Sequence, residues 1–149
     1  MTIDENIAML TNKDNKKAYK ALTELLAICE TDDRLYPYFD IFTNMMKDTS
    51  SSYIRTRGLR LIAFNSKWDK ENKVDLIIDE YLKHIEDEKP ITARQCIKDT
   101  VIIAKHKPEL IDTILQALEK YDRIYDDSMQ SLIYKDRKNA IRQIRQYTW

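Results

Sequence analysis

The sequence predicts an all-α fold, and two observations carry that expectation. Apolar residues recur at steps of three and four along almost the whole chain, and residues that serve tight turns are scarce. There is one glycine, Gly58, and there are three prolines, Pro37, Pro90 and Pro108. A strand-rich fold needs more of such turn residues, and a Gly-rich phosphate cradle needs several glycines where the backbone must approach phosphate. With 149 residues, 43% of them hydrophobic, the chain is sized for one continuous core, so a single domain over 1–149 is expected.

Taken in order, the elements begin with a short helix near 3–10 and a longer one over 18–29. Leu35, Tyr38, Phe39, Phe42, Met45 and Met46 then form one helical stripe, and the run Thr49-Ser50-Ser51-Ser52 breaks it with a serine available as a cap. A helix over 54–65 follows. Val74, Ile77, Ile78, Tyr81, Leu82 and Ile85 form the next stripe, closed by Glu88-Lys89-Pro90, because the residue before proline is pushed out of the α region. After the helix over 91–105, His106-Lys107-Pro108 makes the same kind of break, with Pro108 suited to the first turn of the stripe Leu110, Ile111, Ile114, Leu115 and Leu118. A last helix covers 129–147. Asp14, Asp33, Asp69 and Asp127 are placed to cap helices or lie in their first turns. The total is about eight helices.

Alternate helices share a signature. Leu25-Leu26-Ala27, Leu61-Ile62-Ala63 and Ile102-Ile103-Ala104 follow one another at about 36 and 41 residues, the length of a two-helix repeat, and Arg55 or Arg57 and Arg94 stand near the start of the second and third. This pattern resembles HEAT and armadillo-type repeats across nearly the whole chain. The resemblance implies an α-α superhelix, a HEAT-like solenoid of about four helix pairs, whose second helices line the concave side. It extends to small bacterial HEAT-repeat proteins that carry a SufBD-like label, although no residue pattern here points to iron–sulfur assembly. Bacterial alkylpurine DNA glycosylases are also HEAT-like arrays, using aromatic side chains and an acidic residue beside the extruded base. Trp68-Asp69 invites that comparison, but its place at a turn between helices makes Trp a staple and Asp a cap.

The formal net charge is zero, yet the two sets of helices differ in sign. Segments 13–30, 51–67, 90–107 and 127–149 carry +1, +4, +3 and +3, or +11 together, and the remaining segments carry −11. At 100° per residue, Arg57, Arg60 and Lys67 fall within about 80° of arc, and Arg94, Lys98 and Lys105 within about 40°. Lys135, Lys138, Arg142 and Arg145 fall within about 80°, opposite Leu132, Ile133, Ala140, Ile141 and Ile144. These ten cations are the candidate contacts, with Tyr53 and Tyr134 as amphipathic neighbours. They predict a binding or adaptor module with a basic groove for an acidic protein or peptide. Nucleic acid is the alternative partner, and self-neutralised solvated faces are the competing structural reading.

An enzyme is not expected. Cys29 and Cys96 sit in helical apolar patterns with no Cys or His at metal-ligand spacing and read as buried packing thiols. His84 reads as a surface or interface residue and His106 as a helix-end cap. The pair Asp75 and Asp79 reads as a solvated helix face. No cofactor or metal is implied. The acidic, polar start and the lack of any apolar run near 20 residues predict a cytoplasmic location without membrane insertion.

Overall fold

The computed structural model describes residues 1–126 and 128–148, and among them there are eight α-helices and no strand. Asp127, expected as a cap, lies outside the described residues. The chain divides into two compact units, Met1–Lys73 and Val74–Trp149.

The first unit contains α1 (Ile3–Met9), α2 (Asn15–Thr31), α3 (Phe39–Met46) and α4 (Ser52–Asn65). Thr2 opens α1 with a reciprocal capping box to Glu5, Asp14 accepts the Lys16 and Lys17 N–H groups at the start of α2, and Ser51 caps α4 through the Ile54 N–H. α1 packs on α2, α3 on α4, and α2 beside α4. The last two run parallel. Near their starts Arg57 donates to Asn15 Oδ1 at 3.0 Å, and near their ends Asn65 reaches Cys29 Sγ at 3.4 Å while the Trp68 indole N–H donates to the Cys29 carbonyl at 2.7 Å.

The contact of α3 with α4 depends on Gly58. A Cβ there would stand 2.7 Å from Met46 N and from Phe42 O, and 2.8 Å from Met45 Cβ. Its φ is not positive, so space and not turn geometry requires glycine. The expected stripe from Leu35 to Met46 is split in the structure. Tyr36–Tyr38 form a 3₁₀ turn before α3, because Pro37 brings no N–H and disfavours α geometry at Tyr36. Asp33 is not a cap; its carboxylate meets Lys70 at 3.5 Å. Asp69 performs that role, with Oδ1 accepting the Lys73 N–H at 2.8 Å and the Tyr36 hydroxyl at 2.6 Å.

After α5 (Lys73–Leu82), the second unit continues through a 3₁₀ turn at Lys83–Glu86, α6 (Pro90–His106), a 3₁₀ turn at Pro108–Leu110, α7 (Ile111–Glu119) and α8 (Gln130–Arg145). Pro90 and Pro108 occupy first-turn positions, as expected. Val74, Ile78, Tyr81, Leu82 and Ile85 are buried, as are Ile97, Ile103, Ile114, Leu118, Ile133 and Ile144. The shared signature packs unevenly. Leu61, Ile62, Ala63, Ile103 and Ala104 are buried, but Ala27 is exposed.

α6 packs along α8, and the two run parallel. Tyr125 OH donates to the Asp87 carbonyl three residues before α6, and the Tyr125 N–H donates to Gln130 Oε1 at the start of α8. The two helices therefore begin side by side. Further on, the Arg94 guanidinium of α6 meets Asp136 Oδ2 of α8 at 2.6 Å. Arg137 donates to the Leu118 carbonyl at 2.9 Å, supplying a partner to the end of α7 and fixing α8 against it.

Candidate binding face on α6 and α8

The structure separates the ten candidate cations by what already holds them. In the first unit most are engaged. Arg57 is 5% exposed, and its guanidinium donates to the Leu10 carbonyl at 2.9 Å as well as to Asn15. Burial depresses its pKa. Arg57 therefore leaves the expected row and ties α4 to the turn that joins α1 to α2. Arg55 is likewise buried, donating to the Asp48 carbonyl at 3.2 Å. Arg60 is half-buried with its guanidinium 5.4 Å from the Phe64 ring, and Lys67 reaches the Glu30 carbonyl at 3.2 Å beside the Trp68 ring. Tyr53 is exposed, with Arg57 beneath its ring at 5.9 Å.

The second unit leaves more positive charge open. Arg94 is spent on Asp136, whose side chain is 10% exposed, and Arg145 meets Glu119 Oε1 at 2.6 Å. Lys98, Lys105 and Lys135 are exposed and have no polar partner among the described residues. Lys138 lies 5.0 Å from the exposed Tyr134 ring, and Arg142 donates to Asn139 at 3.2 Å on its own helix. Five cations are thus brought onto the outer faces of two neighbouring parallel helices. Acids are missing from those faces. α6 has only Asp99, which is buried, and α8 has only Asp136, which is held by Arg94.

Two features of this region were not legible as expected. Leu132, placed with the packing stripe, is 41% exposed. Lys107, counted with the basic layer, is 5% exposed and enclosed by Asp75 at 2.8 Å and Glu109 at 3.2 Å. Asp75 therefore belongs to a partly buried ion pair and not to a solvated face. Only half of that enclosure is local in sequence: Glu109 lies two positions from Lys107, whereas Asp75 lies thirty-two away.

The chemistry-bearing groups elsewhere are engaged in structure. His84 Nδ1 lies 3.0 Å from Asp87 Oδ1 in the 3₁₀ turn, and Asp87 Oδ2 accepts the Lys89 N–H ahead of α6. Both cysteines are free thiols inside the core. Burial pushes Cys29 up to about 12 and Cys96 well above the ordinary thiol range, opposite to the shift an attacking thiolate needs. Trp68 and Asp69 are both committed to interhelical hydrogen bonds. A cleft of about 570 Å³ between α5 and α7 is rimmed by Asp79, Lys83, Glu86 and Lys120, charges of both signs. Among the described residues no group of His, Cys, Asp and Glu is arranged to hold a metal ion, and no helix is long and apolar enough to cross a membrane. No protein-family profile matches the chain, and no curated protein or solved structure is significantly similar to it.

Proposed function

We propose that this chain is a non-enzymatic binding module of HEAT-like stacked helix pairs that presents a basic face to an acidic protein partner. The observation that carries the reading is the outer surface of α6 and α8, where Lys98, Lys105 and Lys135 are exposed and, among the described residues, have no polar partner, while the acids of the two helices, Asp99 and Asp136, are buried or held by Arg94. A self-neutralised face would pair these cations across the helices, as Arg94 pairs with Asp136. The spacing of interhelical bonds supports the stacked arrangement: Arg57 to Asn15 and Arg94 to Asp136 both span 42 positions, and Tyr125 to Asp87 spans 38.

A protein partner fits better than nucleic acid because the positive field is local. The chain as a whole carries no net charge, and Asp79, Asp112, Glu119 and Asp122 lie exposed on the other segments of the same unit. A long polyanion would meet those acids, whereas a short acidic segment can stay on the basic face. The test is capture from a cell extract by the native chain, by the Lys98→Glu, Lys105→Glu, Lys135→Glu variant, and by an Asp79→Lys, Asp112→Lys, Asp122→Lys control. Only the first variant should lose the captured protein, both should remain helical by circular dichroism, and duplex DNA should not displace it. Retention by the lysine-reversed variant would refute the assignment, and displacement by DNA of any sequence would favour a nucleic-acid partner.

A further inference from the structure

Resting on that reading, we propose that the partner segment is an acidic α-helix of about twelve residues, lying along the crevice between α6 and α8. The argument starts from the Arg94–Asp136 pair, which sets the level of one helix against the other. At 1.5 Å per residue from that pair, Lys135, Lys138, Lys98, Arg142 and Lys105 stand at about −2, 3, 6, 9 and 16 Å along the common axis. The cations of the two helices thus interleave over about 18 Å, the length of a twelve-residue helix. Their spacing on α8, at i, i+3 and i+7, is the spacing at which acids recur along one face of a helix laid beside it.

The crevice also has an apolar line. Leu132 is within about 40° of Asp136 on α8, and Val101 within about 20° of Arg94 on α6, so both turn toward the side on which the ion pair sits. Leu132 is 41% exposed and Val101 half-buried. Packed helices stand about 8–10 Å apart, and a groove of that width accepts the side-chain ridge of a third helix. An occupant that fits has a narrow apolar seam flanked by glutamates or aspartates. An extended acidic strand presents acids to one side every second residue, about 7 Å apart, and has no register with the 4.5 and 6 Å steps along α8.

Three probes distinguish the outcomes. The first is a side-chain-stapled helical peptide with glutamates at i, i+3, i+7 and i+11 and one leucine seam. The second is the same peptide with the staple left open and its central residue replaced by proline, and the third is duplex DNA. Binding is read by fluorescence anisotropy on the full chain, with Leu132→Asp and the Lys98→Glu, Lys105→Glu, Lys135→Glu variant as comparisons. The stapled helix should bind at least tenfold tighter than the proline peptide, and either variant should weaken it at least tenfold. Equal affinity for both peptides, lost in the lysine variant, would overturn the helical occupant while leaving the acidic-protein reading in place. No binding of either peptide, or tighter binding of DNA than of both, would overturn the two together.

Discussion

Gly58→Ala puts a number on the closest approach in the first unit. Inside a helix, alanine is favoured over glycine by about 1 kcal/mol, so propensity alone predicts a more stable protein. The surroundings oppose this. The new methyl carbon would stand 2.7 Å from two main-chain atoms of α3, Met46 N and Phe42 O, and ordinary contact requires α3 to withdraw by roughly 0.7 Å. α3 carries Phe39, Phe42, Met45 and Met46, all buried, so withdrawal opens gaps along the whole contact. Overpacking of this kind costs about 3 kcal/mol at the upper end of its usual range, and the propensity gain reduces the net loss to about 2 kcal/mol. For a chain of this length that lowers the melting midpoint by about 4–8 °C. Thermal melts followed by helical circular dichroism measure it directly. Adding Met45→Ala should not restore the midpoint, because two of the three crowded atoms are main chain and the third, the Met45 Cβ, is kept by alanine. An unchanged or raised midpoint in Gly58→Ala would refute the steric argument and leave propensity as the whole effect.

Lys107→Met should destabilise the second unit by about 1–2 kcal/mol in urea denaturation, since it leaves Asp75 and Glu109 without their shared cation while both keep some access to water; a loss below about 0.5 kcal/mol would show that the pair contributes nothing. Alkaline conditions should weaken the fold through its thiols. Cys29 titrates near 12 when folded and near 8.5 when unfolded, so its contribution is fully present below the unfolded value and is lost as pH rises through the folded one. Stability should therefore fall from about pH 9 upward, and Cys29→Ala should flatten that fall; a pH-independent plateau between 9 and 11 would contradict it. At neutral pH neither Cys29 nor Cys96 should react with a thiol reagent until the protein unfolds, and rapid labelling of the native chain would contradict their burial.

The helices were legible because their stripes are local. Phe39, Phe42 and Met46 lie on one face in any α-helix, and the breaks at Pro90 and Pro108 follow from proline itself. The basic rows were legible only as arcs. Whether a cation on an arc is free depends on residues far away: Arg57 is taken by Leu10 and Asn15, 47 and 42 positions distant, and Lys107 by Asp75. One local sign did separate Arg57 from Arg60. Arg57 stands four residues before the core residue Leu61 and so lies at the edge of the packed face, whereas Arg60 stands four before the half-buried Phe64. On α6, Lys98 and Lys105 lie farther from the packed side, and they are the cations that remain open. Leu132 lies in the apolar arc and is nevertheless exposed, because a place in the arc says nothing about which neighbour is present to cover it.

The short reach of the interhelical bonds has a consequence for how the protein is made. The bond from Arg57 to Leu10 spans 47 positions, and the others that join helices within the first unit span fewer. Every one of those partners has been synthesised once residue 73 is in the chain. At about 5–20 residues per second, the ribosome then needs roughly another 4–14 s to reach the end of α8, far longer than helices and small helical contacts take to form. Low separation between partners favours fast closure. The α2–α4 contacts can therefore close before α8 is made, and the apolar faces of α3 and α4 need remain uncovered for only a part of synthesis.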